Sequence, residues 1–473
     1  MQTENHHSLP AGNTARGKFS RMAIALADWS ERWFPDALVF AFVAIVIVFL
    51  AGLCLGEKPG NLAKDFGDGF WELAPFTLQM AMIIIGGYVV ASSPAVRVVI
   101  RWLARIPRTP RGAVAFVALL STTSSLLSWG FSLILGALLV RQIAQNIRSV
   151  DYRAASAAAY LGVGTVWALG LSSSAALMMA TRGLIPPAIL KISGQIPLTH
   201  TIFAWQSLVT AAVLIVASVS VAYLSAPTAS HAKTAEMLGV KFDVDIPPTD
   251  PSQTPGEWLE HNGILTVLIC ALGFSYLVKI FIARGVLAAF DLNTYNFLFI
   301  MLGMLLHWRP RAFARAVSAS VPATAGVLIQ FPFYAGIFGI ITKSAISNRL
   351  AEFFVHISNT NTYPLVIAIY SATLGLFVPS GGSKWVIEAP YVLAAANQLH
   401  INLGWVVQIY NTAEALPNLI NPFWMLPLIG LLRIRARDIV GYTALQLIIN
   451  VPLVLFFMWL FARTLPYVPP TTF

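Results

Sequence analysis

Charge is scarce in this sequence. Asp, Glu, Lys and Arg make up 11% of its 473 residues, under half the roughly 25% of an ordinary globular chain. Cysteine is scarcer still: Cys54 and Cys270 lie far apart, each in an apolar stretch. Two such cysteines exclude a disulfide framework and a cysteine-based metal motif. No Gly-rich phosphate loop with its Lys-Ser/Thr ending occurs, so nucleotide-driven work has no support. The eight histidines show no metal-ligand spacing. The polar start, Met1–Ser20, runs into apolar stretches too long and too numerous for a removable secretory peptide.

What is present is apolar: 57% hydrophobic residues and a mean hydropathy of +0.72. The expected class is an all-α polytopic membrane protein. The net charge of +10 does not argue for nucleic acid, because the basic residues sit in short loops between apolar spans. Arg97, Arg101, Arg105, Arg108 and Arg111 form the densest such loop, and basic loops of this kind mark the cytoplasmic side. On that rule residues 1–30 are a cytoplasmic N-terminal segment, 226–261 a Pro-rich cytoplasmic linker and 464–473 a C-terminal tail. Apolar spans are expected near Ala37–Leu55, Phe76–Val96, Ala154–Thr181, Thr201–Leu224, Gly263–Ile282, Asn293–Leu306, Val321–Ile341, Gly404–Leu432 and Ile439–Phe461. The mixed segment Glu57–Glu72 reads as an outside loop.

Two apolar stretches cannot be single straight helices. Tyr370–Tyr391 contains Pro379, Ser380, Gly381, Gly382 and Ser383 in a row, then Lys384 and Glu388. Proline and paired glycines break a helix. Gly112–Val140 carries a Ser/Thr-rich segment ending in Trp129-Gly130, with basic loops at both ends. Each therefore reads as a re-entrant hairpin, 112–140 with its tip at Ser124–Gly130 and 363–398 with its tip at Ser380–Ser383. An offset of about 250 residues relates the two: Ser121 falls on Ser371, Thr123 on Thr373, and Trp129-Gly130 on Pro379-Ser380. The spans Ala154–Thr181, with Gly162, Gly164, Gly170 and Ser172–Ser174, and Gly404–Leu432, with Asn411, Glu414, Pro417, Asn418, Asn421 and Pro422, read as broken helices. The expected architecture is two repeats of inverted topology, 31–225 and 285–463, with an extra span at 262–284.

Irregular backbone at membrane depth lines a wet cavity or is buried in protein, and in carriers it binds substrate and coupling ions. The candidate substrate-binding residues are therefore Ser124, Ser125, Ser128, Trp129, Ser173, Ser380, Gly381, Gly382, Ser383, Lys384 and Asn418. Lys384 could attract a carboxylate, with Glu388 one helical turn away as its resting partner. Alternatively the two form a self-neutralising structural pair. Glu388 and Glu414 could carry a coupling proton, or Asn411, Glu414, Asn418 and Asn421 could help hold Na⁺. The plain alternatives are close packing through small residues and a hydrogen-bonded helix cluster. No cofactor and no firmly assigned metal is expected. A passive anion channel and a membrane-embedded hydrolase remain other classes.

The motifs FVPSGGSKWVIEAPYV and NTAEALPNLINPFW resemble the short-chain fatty acid transporter family, within the wider ion transporter superfamily. The resemblance runs from about Trp29 to Leu465. It implies uptake of short monocarboxylates such as butyrate or acetoacetate across the bacterial inner membrane by H⁺ or Na⁺ symport, with the N-terminus cytoplasmic. It further implies opposed hairpins, elevator-type movement and a homodimer. Related families carry dicarboxylates or amino acids. The superfamily's dicarboxylate carriers show Ser-Asn-Thr at both tips. Here the tips read Ser124-Ser125 and Ser380-Gly381-Gly382, a departure that leaves H⁺ coupling open and suits a monoanion.

Overall fold

The computed structural model describes residues 37–228, 232–242, 254–378 and 380–470, and all regular structure among them is helical. The first half contains α1 (Ala37–Cys54), α2 (Pro59–Phe70), α3 (Ala74–Ser92), α4 (Pro94–Leu103), α5 (Pro110–Ser125), α6 (Trp129–Asn146), α7 (Tyr152–Leu161), α8 (Ser174–Ala180) and α9 (Trp205–Ser225). The second contains α10 (Ile264–Arg284), α11 (Leu292–His307), α12 (Pro310–Ser320), α13 (Ala325–Lys343), α14 (Ile346–Ile357), α15 (Tyr363–Phe377), α16 (Gly381–Gln398), α17 (Leu403–Asn418), α18 (Leu426–Leu432) and α19 (Ala436–Ala462). Shorter turns connect them.

Helix starts recur at nearly constant spacing. Ala74 and Ala325 are 251 residues apart, Trp129 and Gly381 252, Tyr152 and Leu403 251, and Ser174 and Leu426 252. The spacing is a residue or two larger than the Ser/Thr matches suggest, so Trp129 corresponds to Gly381 rather than to Pro379. Pro379 itself lies outside the described residues. Helix starts set this register because a cap and the first free N–H groups define a position more sharply than a common side chain does.

Among the described residues six helices are long and apolar enough to cross a membrane by length and composition: Ala74–Ser92, Tyr152–Ala180, Trp205–Ser225, Ile264–Arg284, Pro310–Lys343 and Ala436–Ala462. Three shorter apolar helices are Ala41–Cys54, Leu292–His307 and Tyr363–Leu376. The interrupted segment Tyr152–Ala180 is 89% buried and Ile264–Arg284 only 22%. The broken element therefore sits inside protein, where its freed backbone groups find partners, and α10 lies at the periphery.

Four local expectations change. The span expected at Phe76–Val96 ends at Ser92, because Ser93 caps a new helix and Pro94 opens it. Glu57–Glu72 is largely helix rather than loop: α2 lies against α13, with Gly69 so close to Ala335 and Gly339 that a side chain would not fit. Within the linker, Lys233 is tied to the first half, its N–H donating to Asp151 and its carbonyl accepting from Tyr152 N–H. The prolines at 247, 248 and 251, like residues 1–30, lie outside the described residues. The first hairpin extends beyond 112–140, its arms being α5 and α6.

Candidate functional site

Both hairpins form by side-chain pairing across their arms. In the first, Ser132 Oγ donates to the Ser121 carbonyl at 2.7 Å. In the second, Tyr363 OH donates to the Val392 carbonyl at 2.5 Å, and the Tyr370 and Tyr391 hydroxyls meet at 2.8 Å. The turn of the first is short, Leu126–Ser128; in the second, α15 ends at Phe377 and α16 begins at Gly381.

The broken segments lie beside the turns. After α7 the backbone widens into a π turn over Gly162–Val166, tightens over Trp167–Leu169 and opens at Gly170. Ser121 Oγ takes up the groups this releases, donating to Ala159 O at 2.6 Å and accepting from Gly162 N at 3.1 Å. Gly170 is required by close approach, since a Cβ there would lie 2.3 Å from Leu126 Cα. In the second half, Pro417 lies within the last turn of α17, which ends at Asn418; proline supplies no N–H for the ladder. The two breaks are joined directly. Tyr160 OH donates to Asn418 O at 2.8 Å, and Asn418 Nδ2 to Val163 O at 3.3 Å.

These four pieces, together with α3 and the start of α13, line one cavity of about 320 Å³, at the small end of ligand pockets. Trp129 and Gly130 come from the first tip, Ser380, Gly381 and Gly382 from the second, and Val163, Trp167, Ser174, Asn418 and Trp424 from the breaks. Gln330 and Tyr88 join Ser174, Ser380 and Asn418 as the polar groups of a largely apolar wall, and no charged residue is among the described residues that line it. The start of α16 faces this space. Ser380 precedes it without capping its backbone, its hydroxyl instead accepting from Ser383 Oγ at 2.5 Å. The first N–H groups of a helix have no partner within it and carry partial positive charge. Glycine is needed at both first positions: a Cβ on Gly381 would lie 2.5 Å from the Trp167 ring, and one on Gly382 2.9 Å from Phe76.

Behind Gly381 lies a charged cluster. Lys384 is fully buried. Its Nζ stands 3.2 Å from Glu388 Oε1 and 2.6 Å from Glu414 Oε2, and donates to Ser371 O at 2.7 Å. It also lies 4.5 Å from the Tyr410 ring centre, and Tyr410 OH donates to Gly381 O at 2.7 Å. Ser371 Oγ donates to Glu388 Oε2 at 2.5 Å. The one-turn pairing of Lys384 with Glu388 matches the sequence reading; the contact with Glu414 comes only from α16 packing on α17.

The remaining candidates separate. Ser124 and Ser125 turn their hydroxyls back to Leu120 O and Thr122 O within their own helix. Ser128 and Ser173 cap α6 and α8 through Phe131 N and Ala176 N, and neither lines the cavity. Trp129 N donates to Ser172 Oγ at 3.0 Å, and its ring meets Trp424 edge-on at 5.5 Å. Asn411 points away from the cluster: its Nδ2 donates to Gln408 Oε1, and Gln408 in turn to Ser207. Asn421 is buried past the end of α17 and does not line the cavity. Lys384 stands behind the cavity rather than in it: its ammonium donates to Ser371 O and lies in ion-pair contact with Glu388 and Glu414. Sequence reasoning missed Trp167, Trp424 and Gln330 as cavity residues and Tyr410 as the partner of Lys384. Of these, Gln330 alone has a counterpart in the sequence, Gln79, 251 residues before it and so close to the offset of the two hairpins.

An all-helical chain with several membrane-length apolar helices and a cavity between two broken helix pairs has the makeup of a polytopic membrane transporter. Its overall fold is that of solved transporters. The YdaH transporter of Alcanivorax borkumensis superposes with a TM-score of 0.58 at 15% identity, over 92% of this chain and all of that one. MtrF of Neisseria gonorrhoeae, described within a class of antimetabolite efflux pumps, gives 0.54 at 14%, over 94% and 98%. A profile of the short chain fatty acid transporter family matches residues 18–461. Two curated proteins named for short-chain fatty acid transport are similar along their whole length. One, from Escherichia coli (strain K12), is 35% identical over 92% of this chain and 97% of its own. The other, from Haemophilus influenzae, is 32% identical over 92% and 98%. This chain belongs to the short-chain fatty acid transporter family; it is a transporter and not an enzyme.

Proposed function

We propose that the chain takes up short monocarboxylates of the butyrate and acetoacetate class, as a cation-coupled secondary carrier working by alternating access. The observation that carries this reading is the convergence of both hairpin tips and both breaks on one small cavity without charged walls. The carboxylate is held by the first N–H groups of α16, at Gly381 and Gly382, with Ser380 and Asn418 beside them. The short alkyl chain rests among Trp129, Trp167 and Trp424. A cavity with no cation suits one negative charge better than two, and its volume suits a short chain.

In this reading the two halves are inverted repeats in the inner membrane, with the N-terminus cytoplasmic and the hairpins re-entrant. The tips and breaks move as a body against a scaffold that includes α1 and α10, in a homodimer. The recurring helix starts and the peripheral position of α10 support it. The test is counterflow: purified protein in liposomes loaded with unlabelled butyrate, and labelled butyrate outside. Transient accumulation of label, competed by acetoacetate and not by succinate or alanine, is the expected result. Equilibration without overshoot would mean a channel, and competition by succinate a dicarboxylate carrier.

A further inference from the structure

The charged cluster behind the cavity holds more negative than positive charge. Lys384 and Glu388 are fully buried and Glu414 is 1% exposed, so with all three ionised they sum to one net negative charge away from water. Buried charge without compensation is strongly unfavourable, and the cluster accordingly requires one more cation. We propose that this cation is a proton carried on Glu414, and that it is the ion whose gradient drives the carrier. This rests on the carrier reading above.

Three observations select Glu414 and a proton. Glu388 has a partner on each oxygen, Lys384 in ion-pair contact with one and the Ser371 hydroxyl donating to the other, which suits a permanently ionised partner of Lys384. Glu414 meets Lys384 through Oε2 alone, and its Oε1 is buried without a partner. One turn further on, Asn418 Oδ1 is also buried without a donor, so a proton on Glu414 would add the donor this stretch lacks. Finally, the position between the two carboxylates, where a metal cation would sit, already holds the Lys384 ammonium. The charged groups acting on Glu414 are Lys384 and Glu388. Tyr410 on its own helix and Tyr363, Tyr370 and Tyr391 around Glu388 complete the titratable surroundings.

The coupling follows from position. Gly381 lines the cavity and also adjoins Glu414; a Cβ there would lie 3.7 Å from Glu414 Cγ. An ionised Glu414 repels a carboxylate arriving at the start of α16. A protonated one does not, and the dependence is reciprocal: bound substrate favours the proton on Glu414.

The experiment uses the purified protein in liposomes, with protein-free liposomes subtracted for passive entry of butyric acid. Wild type is expected to accumulate labelled butyrate under an inward pH gradient and not under a Na⁺ gradient at equal pH. Glu414→Gln, which mimics the protonated carboxyl, should lose pH-driven accumulation while butyrate exchange persists. Accumulation by wild type under Na⁺ alone, or by Glu414→Gln under the pH gradient, would overturn the proposal. Should Glu414→Gln fail to assemble, Glu414→Asp keeps a titratable group and must keep pH-driven accumulation with a displaced pH profile; an unchanged profile would count against Glu414. Absence of butyrate exchange in wild type would instead overturn the carrier reading, so the two failures are distinguishable.

Discussion

Replacing Lys384 with methionine keeps most of the side chain's volume and removes one charge from a cluster of three. Nζ sits 3.2 Å from Glu388 and 2.6 Å from Glu414, out of contact with water. Breaking a buried ion pair by deleting one partner costs about 3–5 kcal/mol, because the other charge is left unpaired. With the proton on Glu414, Glu388 is the one buried charge left without its partner, so a cost within that range is expected. That is a large part of the roughly 5–15 kcal/mol that holds a typical domain. Thermal unfolding of detergent-purified protein should show Lys384→Met markedly less stable than wild type. The triple variant Lys384→Met, Glu388→Gln, Glu414→Gln leaves no buried charge and should recover most of the loss, since apolar or neutral replacements of a buried ion cluster are often near neutral. Lys384→Met as stable as wild type, or a triple variant no more stable than the single one, would refute the charge accounting on which the cluster's role rests.

Two further outcomes test the cavity. Gly381→Ala would drive a methyl group into the Trp167 ring from 2.5 Å, an overpacking cost of about 1–3 kcal/mol; weaker butyrate exchange is expected, read as a higher half-saturating concentration. Trp129→Leu removes one half of the edge-on pair with Trp424 and lengthens the apolar wall's reach. Longer carboxylates such as hexanoate should then compete better, by up to roughly fourfold per methylene, taking about 0.8 kcal/mol for each buried CH₂; an unchanged ranking of chain lengths would remove Trp129 from the substrate wall.

The membrane class, the two interruptions and the pair of broken spans are legible in the amino-acid sequence, because they follow from local chemistry. Low charge sets the solvent, and proline, paired glycines and short hydroxyl side chains interrupt a helix wherever they fall. Lys384 with Glu388 is legible for the same reason, being one helical turn apart. Which polar residues share a site is not local. Glu414 meets Lys384 only because α16 lies on α17, whereas Asn411, three residues earlier on the same helix, turns towards Gln408. A helix rotates its side chains by about 100° per residue, so an orientation that no spacing rule gives decides which neighbour each one reaches. Ser124 and Ser125 show the converse: their hydroxyls are satisfied by carbonyls three and four residues back, which leaves them no role at the cavity they border in sequence. The tryptophans that close the cavity face the tip of the other half: Trp167 lies against Gly381, 214 residues further on, and Trp424 against Trp129, 295 residues back. Their approach depends on glycines at 170 and 381 that let backbone and ring come together, and that contact exists only once the breaks have packed against the hairpins.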